Sequence, residues 1–222
     1  MNSKPVETVI YCLLWLSLLL AMVHASDEDS LQDFCVADMS KGRVKVNGFL
    51  CKAPKRVKPS DFLFKGLRNA ASTNNTFGGT VTAGNVMTFP GLNTLGISIN
   101  RVDFAVGGIN PPHLHPRATE IVFLMEGTIV AAFVTTNNVL FSQRMQKGDV
   151  FVIPRGLVHF QQNVGNSSAV AITAFNSQLP GAQVLPSTLF GASPAISEDV
   201  LAKAFQISHE QVKEISSKFA PK

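Results

Sequence analysis

Residues 107–127 read GGINPPHLHPRATEIVFLMEG, and residues 148–163 read GDVFVIPRGLVHFQQN. Side chains two positions apart on a strand point to the same side, so His113 and His115 can face one point. Glu120 lies an odd number of positions further on and needs an intervening bend to turn back towards them. A third imidazole, that of His159, follows the turn signal Pro154-Arg155-Gly156 on a second strand. The two stretches therefore predict a metal site made of His113, His115, Glu120 and His159.

The ligand set indicates which ions this site suits. Three imidazoles and a carboxylate, with no thiolate, suit manganese or iron(II) and, less well, zinc, nickel or copper. Four protein ligands around an ion that prefers six leave about two positions for water or substrate. A single histidine on a strand is usually a hydrogen-bonded structural residue. That explanation fits poorly when four potential ligands occur together at these spacings. We therefore interpret the four residues as a metal centre with room for catalysis.

The same stretches match the spaced motifs of a known family. The pattern G-x5-H-x-H-x4-E-x6-G begins at Gly107, and the pattern G-x5-P-x-G-x2-H-x3-N begins at Gly148. These are the two cupin motifs, and the wording NPPHLHPRATE resembles the plant germins and germin-like proteins. The resemblance extends from LQDFCVAD near the start to LFGASP near the end. It implies an all-β cupin jelly-roll β-barrel that holds Mn2+ inside, secretion to the plant apoplast, and a homo-oligomer, often a hexamer.

Length and composition fit one secreted globular domain. The chain has 222 residues, of which 45% are hydrophobic and 15% charged, as expected for a folded domain. Its net charge of +4 is spread without a basic block, so nucleic acid is not expected as a partner. Residues 1–25 are typical of a signal peptide, because their apolar run of about 15 residues is shorter than the ~20 that span a bilayer. The mature protein is therefore predicted to be extracellular, without a membrane anchor.

Cysteine usage and sequons agree with secretion. Cys12 would leave with the signal peptide, so Cys35 and Cys51 remain as a pair in an oxidising compartment. We predict one disulfide between them, worth about 3 kcal/mol for a loop of about 15 residues. Asn74 and Asn166 each begin an acceptor sequon and are candidate glycosylation sites.

Three segments follow the predicted signal peptide. An irregular N-terminal segment with the disulfide covers residues 26–76, the barrel covers 77–190, and C-terminal helices cover 191–222. Many short strands with little helix between them indicate an antiparallel sandwich or barrel. Strands separated by Gly, Pro or Asn turns are predicted at 96–104, 120–125, 128–134, 139–143, 149–153, 158–163 and 169–175.

The last segment changes to a helical period and forms a short α-helical C-terminal extension. Ser197 is expected to cap one helix, and Ser208 with Gln211 forms a capping-box pattern for a second. Such helices can pack on their own subunit or reach a neighbouring one. The germin resemblance favours the second arrangement.

The resemblance leaves three functions open. Germin-like proteins are associated with superoxide dismutation, and true germins oxidise oxalate with oxygen to carbon dioxide and hydrogen peroxide. A non-enzymatic wall protein, or a receptor-like one, would keep the ligands because metal binding couples to folding. The family is linked to plant defence through peroxide in the wall. We place superoxide dismutation first and oxalate oxidation second.

Two asparagines bear on this choice. True germins hold oxalate with asparagines at positions that match Asn100 and Asn110, which favours the oxalate hypothesis. Asn110 precedes Pro111 and is equally typical of a turn, and Asn100 is equally typical of a hydrogen-bonded interior group. Gln161 shares strand parity with His159 and is expected to orient a bound water. An apolar lining around the ion is expected from Phe123, Phe151 and Phe160.

Overall fold

The structure is a computed structural model that describes residues 35–39 and 48–219. The predicted signal peptide, residues 1–25, lies outside these ranges. Within them, two five-stranded antiparallel sheets make up the barrel, which confirms the all-β jelly-roll prediction. The strands are β1 Gly79–Gly84, β2 Ser98–Phe104, β3 Ile109–Leu114, β4 Glu120–Glu126, β5 Thr128–Val134, β6 Leu140–Gln146, β7 Val150–Ile153, β8 Val158–Asn163, β9 Ala169–Phe175 and β10 Gln183–Val184.

The two sheets interleave strands from distant parts of the chain. The first has the order β1-β2-β9-β4-β7, and the second has the order β10-β3-β8-β5-β6. Consecutive strands β3 and β4 therefore belong to different sheets, and so do β4 and β5. Crossing between sheets at these points brings residues of the two spaced motifs close together.

Most predicted strands are confirmed, three of them to the residue: β5, β8 and β9. The sequence prediction omitted β1 and β10 and gave no bounds for β3. Strand β3 contains Pro111 and Pro112, which cannot donate to a ladder, and its register with β8 shifts between Asn110 and His113. Strand β10 is only two residues long, Gln183–Val184, and carries no alternation to recognise.

Alternation on the strands builds the core between the sheets. On β4, Val122 and Leu124 are fully buried, whereas Phe123 between them is 40% exposed. The prediction that Phe123 lines the ion's surroundings is therefore wrong. Phe160 is also misassigned, because it alternates with the buried His159 on β8. Phe151 does face inwards, against a core formed by Val102, Phe104, Val122, Leu124, Ile129, Ala131, Met145, Ile153, Ala169 and Ala171.

The N-terminal segment carries the disulfide that joins Cys35 and Cys51, as expected. An isolated β-bridge between Ala37 and Cys51 accompanies it, and the amide of Ala37 donates to the carbonyl of Pro90 at 3.0 Å. Single-turn 3-10 helices lie at Pro54–Arg56, Pro59–Phe62 and Pro90–Leu92. The predicted glycosylation sites Asn74 and Asn166 are both exposed, and their modification stays a prediction.

Three α-helices end the described chain: α1 Leu185–Phe190, α2 Glu198–Phe205 and α3 His209–Phe219. Both predicted caps form. The amide of Val200 donates to Ser197 Oγ at 3.4 Å, and the amide of Ser208 donates to Gln211 Oε1 at 2.8 Å. A small second core holds the helices together through Leu201, Ala202, Val212, Phe190, Ile196 and Ile207. None of the helices in residues 48–219 is long and apolar enough to cross a bilayer.

Candidate metal centre

The four predicted ligands meet between the two sheets. His113 on β3 and His159 on β8 are cross-strand partners in the second sheet, and Glu120 begins β4 in the first. His115 lies in the connection between β3 and β4. That connection changes sheets, which is how the odd spacing to Glu120 is accommodated. One nitrogen or carboxylate oxygen from each residue lies within 4.8 Å of the others.

These separations suit a single ion. Two donors on opposite sides of an ion with bonds of about 2.2 Å lie about 4.4 Å apart, close to the largest separation in the cluster. All four side chains are buried: Glu120 is 2% exposed and His159 is 1% exposed. Burying a carboxylate so deeply is costly unless a counter-charge accompanies it.

Two buried atoms of the cluster face each other without a hydrogen bond. Oε2 of Glu120 lies 2.8 Å from Nε2 of His159 and 3.3 Å from Nε2 of His115. Despite these short distances, neither Oε2 of Glu120 nor Nε2 of His159 has a hydrogen-bond partner among the described residues. A cation bound between these two atoms would satisfy both. The donor set therefore fits a bound metal ion.

Each imidazole is held by a backbone carbonyl on its other nitrogen. Nδ1 of His113 donates to the carbonyl of Pro111 and Nδ1 of His159 donates to that of Leu157, each at 2.8 Å. Nδ1 of His115 donates to the carbonyl of Gly181. A carbonyl only accepts, so each Nδ1 carries a hydrogen, and the Nε2 of a neutral ring then presents a lone pair to the centre. This tautomer is the one that ligates a metal.

The charges of the centre also match ligation. Burial lowers the pKa of His113 to about 4, helped by the neighbouring His159, so its ring is neutral at neutral pH. For Glu120, burial acts to raise the pKa, but the imidazoles of His115 and His159 outweigh it and lower the pKa to about 2. The carboxylate is therefore ionised, and a cation, either a proton shared with these rings or a metal ion, completes the cluster.

A pair of side-chain amides adjoins the cluster. Asn110 Nδ2 donates to Gln161 Oε1 at 2.8 Å and lies 3.5 Å from Nε2 of His113. Asn110 is three residues before His113, an odd offset that would turn it outwards on a regular strand. The register shift between Asn110 and His113 brings it to the same face. Gln161 is 1% exposed, and its Nε2 has no partner among the described residues.

Asn100 lies on the inner face of the other sheet. It is 8% exposed and pairs across strands with Thr173 on β9. Two residues further along β9, on the same face, Phe175 pairs with Glu120. Asn100 and Asn110 thus approach the interior from opposite sheets. Their role as substrate-binding residues stays a prediction.

Three features of the site had no signal in the sequence. The carbonyl of Gly181 is 66 residues from the His115 that it binds. The ring of Phe175 packs edge-on against His115, with centroids 4.7 Å apart. Arg117 Nε donates to the carbonyl of Leu179 at 2.7 Å, two residues before Gly181. These contacts join parts of the chain that only the folded barrel brings together.

Comparison with known proteins agrees with this geometry. The family model described as Cupin matches residues 65–213. The chain is 53% identical over 220 residues to germin-like protein subfamily 2 member 1 of Arabidopsis thaliana, covering 99% of each. It is 54% identical over 222 residues to germin-like protein 5-1 of Oryza sativa subsp. japonica, covering 100% of this chain and 99% of that one.

The fold is also similar to a solved structure of recombinant oxalate oxidase in complex with glycolate. The two share 46% sequence identity with a TM-score of 0.85, over 88% of this chain and 98% of that chain. The residues matched by the family model and the full-length alignments both include the four ligands. The chain therefore belongs to the germin-like proteins of the cupin family.

Proposed function

We propose that this chain is a secreted manganese protein of the plant apoplast that converts superoxide to oxygen and hydrogen peroxide. The observation that carries this proposal is the pair of buried, unsatisfied atoms, Oε2 of Glu120 and Nε2 of His159, at 2.8 Å. Three neutral nitrogens and one carboxylate oxygen would hold the ion. When bound, manganese supplies one-electron chemistry, and the set lacks the thiolates that favour softer metals.

The chain's own residues have three tasks in such a reaction. The carbonyls of Pro111, Leu157 and Gly181 keep each Nε2 aimed at the ion. The burial of Glu120 and the surrounding imidazoles limits the water around the centre. Gln161 Nε2 is a buried donor whose hydrogens are available to a small oxygen anion bound next to Asn110. Two superoxide anions and two protons balance one oxygen and one hydrogen peroxide.

Oxalate oxidation is the second candidate, and the amide groups favour it. Oxalate has outer oxygens that need donors, and Asn110 and Asn100 face the interior from opposite sheets. The 46% identity to an oxalate oxidase supports the same hypothesis. In this reaction one oxalate, one oxygen and two protons give two carbon dioxide molecules and one hydrogen peroxide. Either reaction would supply peroxide to the wall, in keeping with a role in defence.

The third candidate is a wall protein whose metal only stabilises the fold, as part of a homo-oligomer such as a hexamer. Metal removal distinguishes it from both enzymes. Loss of an activity with the fold retained supports an enzyme, because the metal then acts in chemistry. Loss of the fold, with no activity detected before removal, supports the structural role.

The experiment is a side-by-side assay of the purified, manganese-loaded protein against superoxide and oxalate. We expect superoxide consumption in the wild type and its loss in His159→Ala, which removes one ligand. If oxalate is a substrate, Asn100→Ala should reduce its turnover and spare superoxide consumption. Asn137→Ala, an exposed asparagine outside the barrel interior, is the matched control. A wild type that binds manganese but consumes neither anion contradicts both enzymatic proposals.

A further inference from the structure

We propose that Arg117 is a positioning residue that sets the orientation of His115 through the carbonyl of Gly181. This inference rests on the proposed metal centre. Two imidazoles are held by carbonyls close in the sequence, because Pro111 and Leu157 lie two residues before His113 and His159. His115 differs, since its Nδ1 donates to a carbonyl 66 residues away. The direction of its Nε2 therefore depends on where a separate segment lies.

Arg117 holds that segment in place. Its Nε donates to the carbonyl of Leu179 at 2.7 Å, and its backbone amide donates to the carbonyl of Pro180 at 3.3 Å. The next carbonyl, that of Gly181, is the one that receives the hydrogen of His115. Three consecutive carbonyls are thus bound by residues 115 and 117. Arg117 thus lies two residues after His115, the ligand that it orients.

Gly181 leaves room for this arrangement. It has a φ of +70°, and a Cβ placed there would lie 2.8 Å from Nη2 of Arg117. The guanidinium therefore packs directly against the peptide whose carbonyl binds His115. An alanine at position 181 would be strained by this φ and would displace the guanidinium, so it should disturb the same contact from the other side.

The expected effect is on metal affinity. Groups that hydrogen-bond a ligating histidine typically change metal affinity by 10–100-fold when removed. Arg117 acts one residue further away, through Gly181, and the backbone amide of residue 117 would still bind Pro180 in a variant. We therefore expect an effect at the lower end of this 10–100-fold range, so Arg117→Gln should bind manganese about 10-fold more weakly.

The experiment measures manganese affinity by competition with a chelator and records the electron paramagnetic resonance spectrum of the bound ion. Arg117→Gln should weaken binding about 10-fold and alter the spectrum. Arg117→Lys, which keeps the charge but has no planar guanidinium, should have an intermediate effect. Arg144→Gln, an exposed arginine on β6, is the control and should match the wild type. Gly181→Ala should reproduce Arg117→Gln, and combining the two should add little.

A second readout needs no metal. In chelator-treated protein labelled with 15N-histidine, the ring of His115 should show a hydrogen-bonded Nδ1–H in the wild type and lose it in Arg117→Gln. An Arg117→Gln variant whose manganese affinity, resonance spectrum and histidine signals all match Arg144→Gln would overturn the inference, even if its melting temperature falls. A wild type that binds no manganese would refute the proposed function, whereas the histidine signals would still decide the role of Arg117.

Discussion

Replacing Glu120 by glutamine tests whether a buried carboxylate charge organises the centre. The substitution keeps the shape of the side chain and removes its charge. In the folded protein the pKa of Glu120 falls from an ordinary 4.5 to about 2. Each tenfold change in proton affinity corresponds to about 1.4 kcal/mol, so folding favours the ionised over the neutral carboxyl by about 3 kcal/mol more than the unfolded chain does. At pH 7, metal-free Glu120→Gln should be less stable than the wild type by about this amount.

The pH dependence has a definite sign. A folded-state pKa below the unfolded one gives stability that is present above pH 4.5 and lost as pH falls towards 2. The difference between wild type and Glu120→Gln should therefore be almost complete at pH 5 and fall to about half its full value at pH 3. Glu126→Gln, at the exposed end of the same strand, should change stability by less than about 0.5 kcal/mol.

The assay is urea unfolding in the presence of a chelator, with linear extrapolation to water. Far-ultraviolet circular dichroism is the suitable probe, because the single tryptophan and single tyrosine, Trp15 and Tyr11, lie in the predicted signal peptide. Equal stability of wild type and Glu120→Gln at pH 7 would refute the reasoning. A difference that stayed constant from pH 7 to pH 3 would refute it equally.

Further predictions concern the disulfide, the core and a helix cap. Cys35→Ser with Cys51→Ser, which opens a loop with a sequence separation of 16, should lower the unfolding free energy by about 3 kcal/mol in urea titrations. Leu124→Ala, at a fully buried position, should cost about 2–5 kcal/mol, whereas Leu140→Ala at 55% exposure should cost less than about 0.5. Ser197→Ala should cost up to about 1 kcal/mol in the same titrations, because the amide of Val200 loses the Ser197 hydroxyl and keeps only the Ser197 carbonyl at 3.1 Å. Unchanged stability of the cysteine, Leu124 or Ser197 variant would contradict the corresponding assignment.

The ligand set was predictable because its signal is local. His113 and His115 share a strand parity, and the turn before His159 marks the start of the strand that carries it. Glu120 required a bend in the sequence argument, and the structure replaces that bend with a change of sheet. Strands with clear alternation and clear turns, such as β5 and β9, were predicted to the residue.

Other features could not be derived from local patterns. On β4, apolar residues face both the core and the surface, so alternation does not show that Phe123 points outwards at 40% exposure. Asn110 reaches the inner face only through a register shift next to two prolines. Gly181 and Arg117 act on His115 through contacts between segments more than 60 residues apart. Strand and helix periodicity relates only neighbouring residues, so it cannot predict such contacts.

The most direct test of the metal centre is anomalous X-ray diffraction from crystals of the manganese-loaded protein, recorded on both sides of the manganese absorption edge. We predict one anomalous peak per chain, bonded at about 2.2 Å to a nitrogen of each of His113, His115 and His159 and to an oxygen of Glu120. Manganese found elsewhere on the chain, with these four side chains bonded only to one another, would contradict the account.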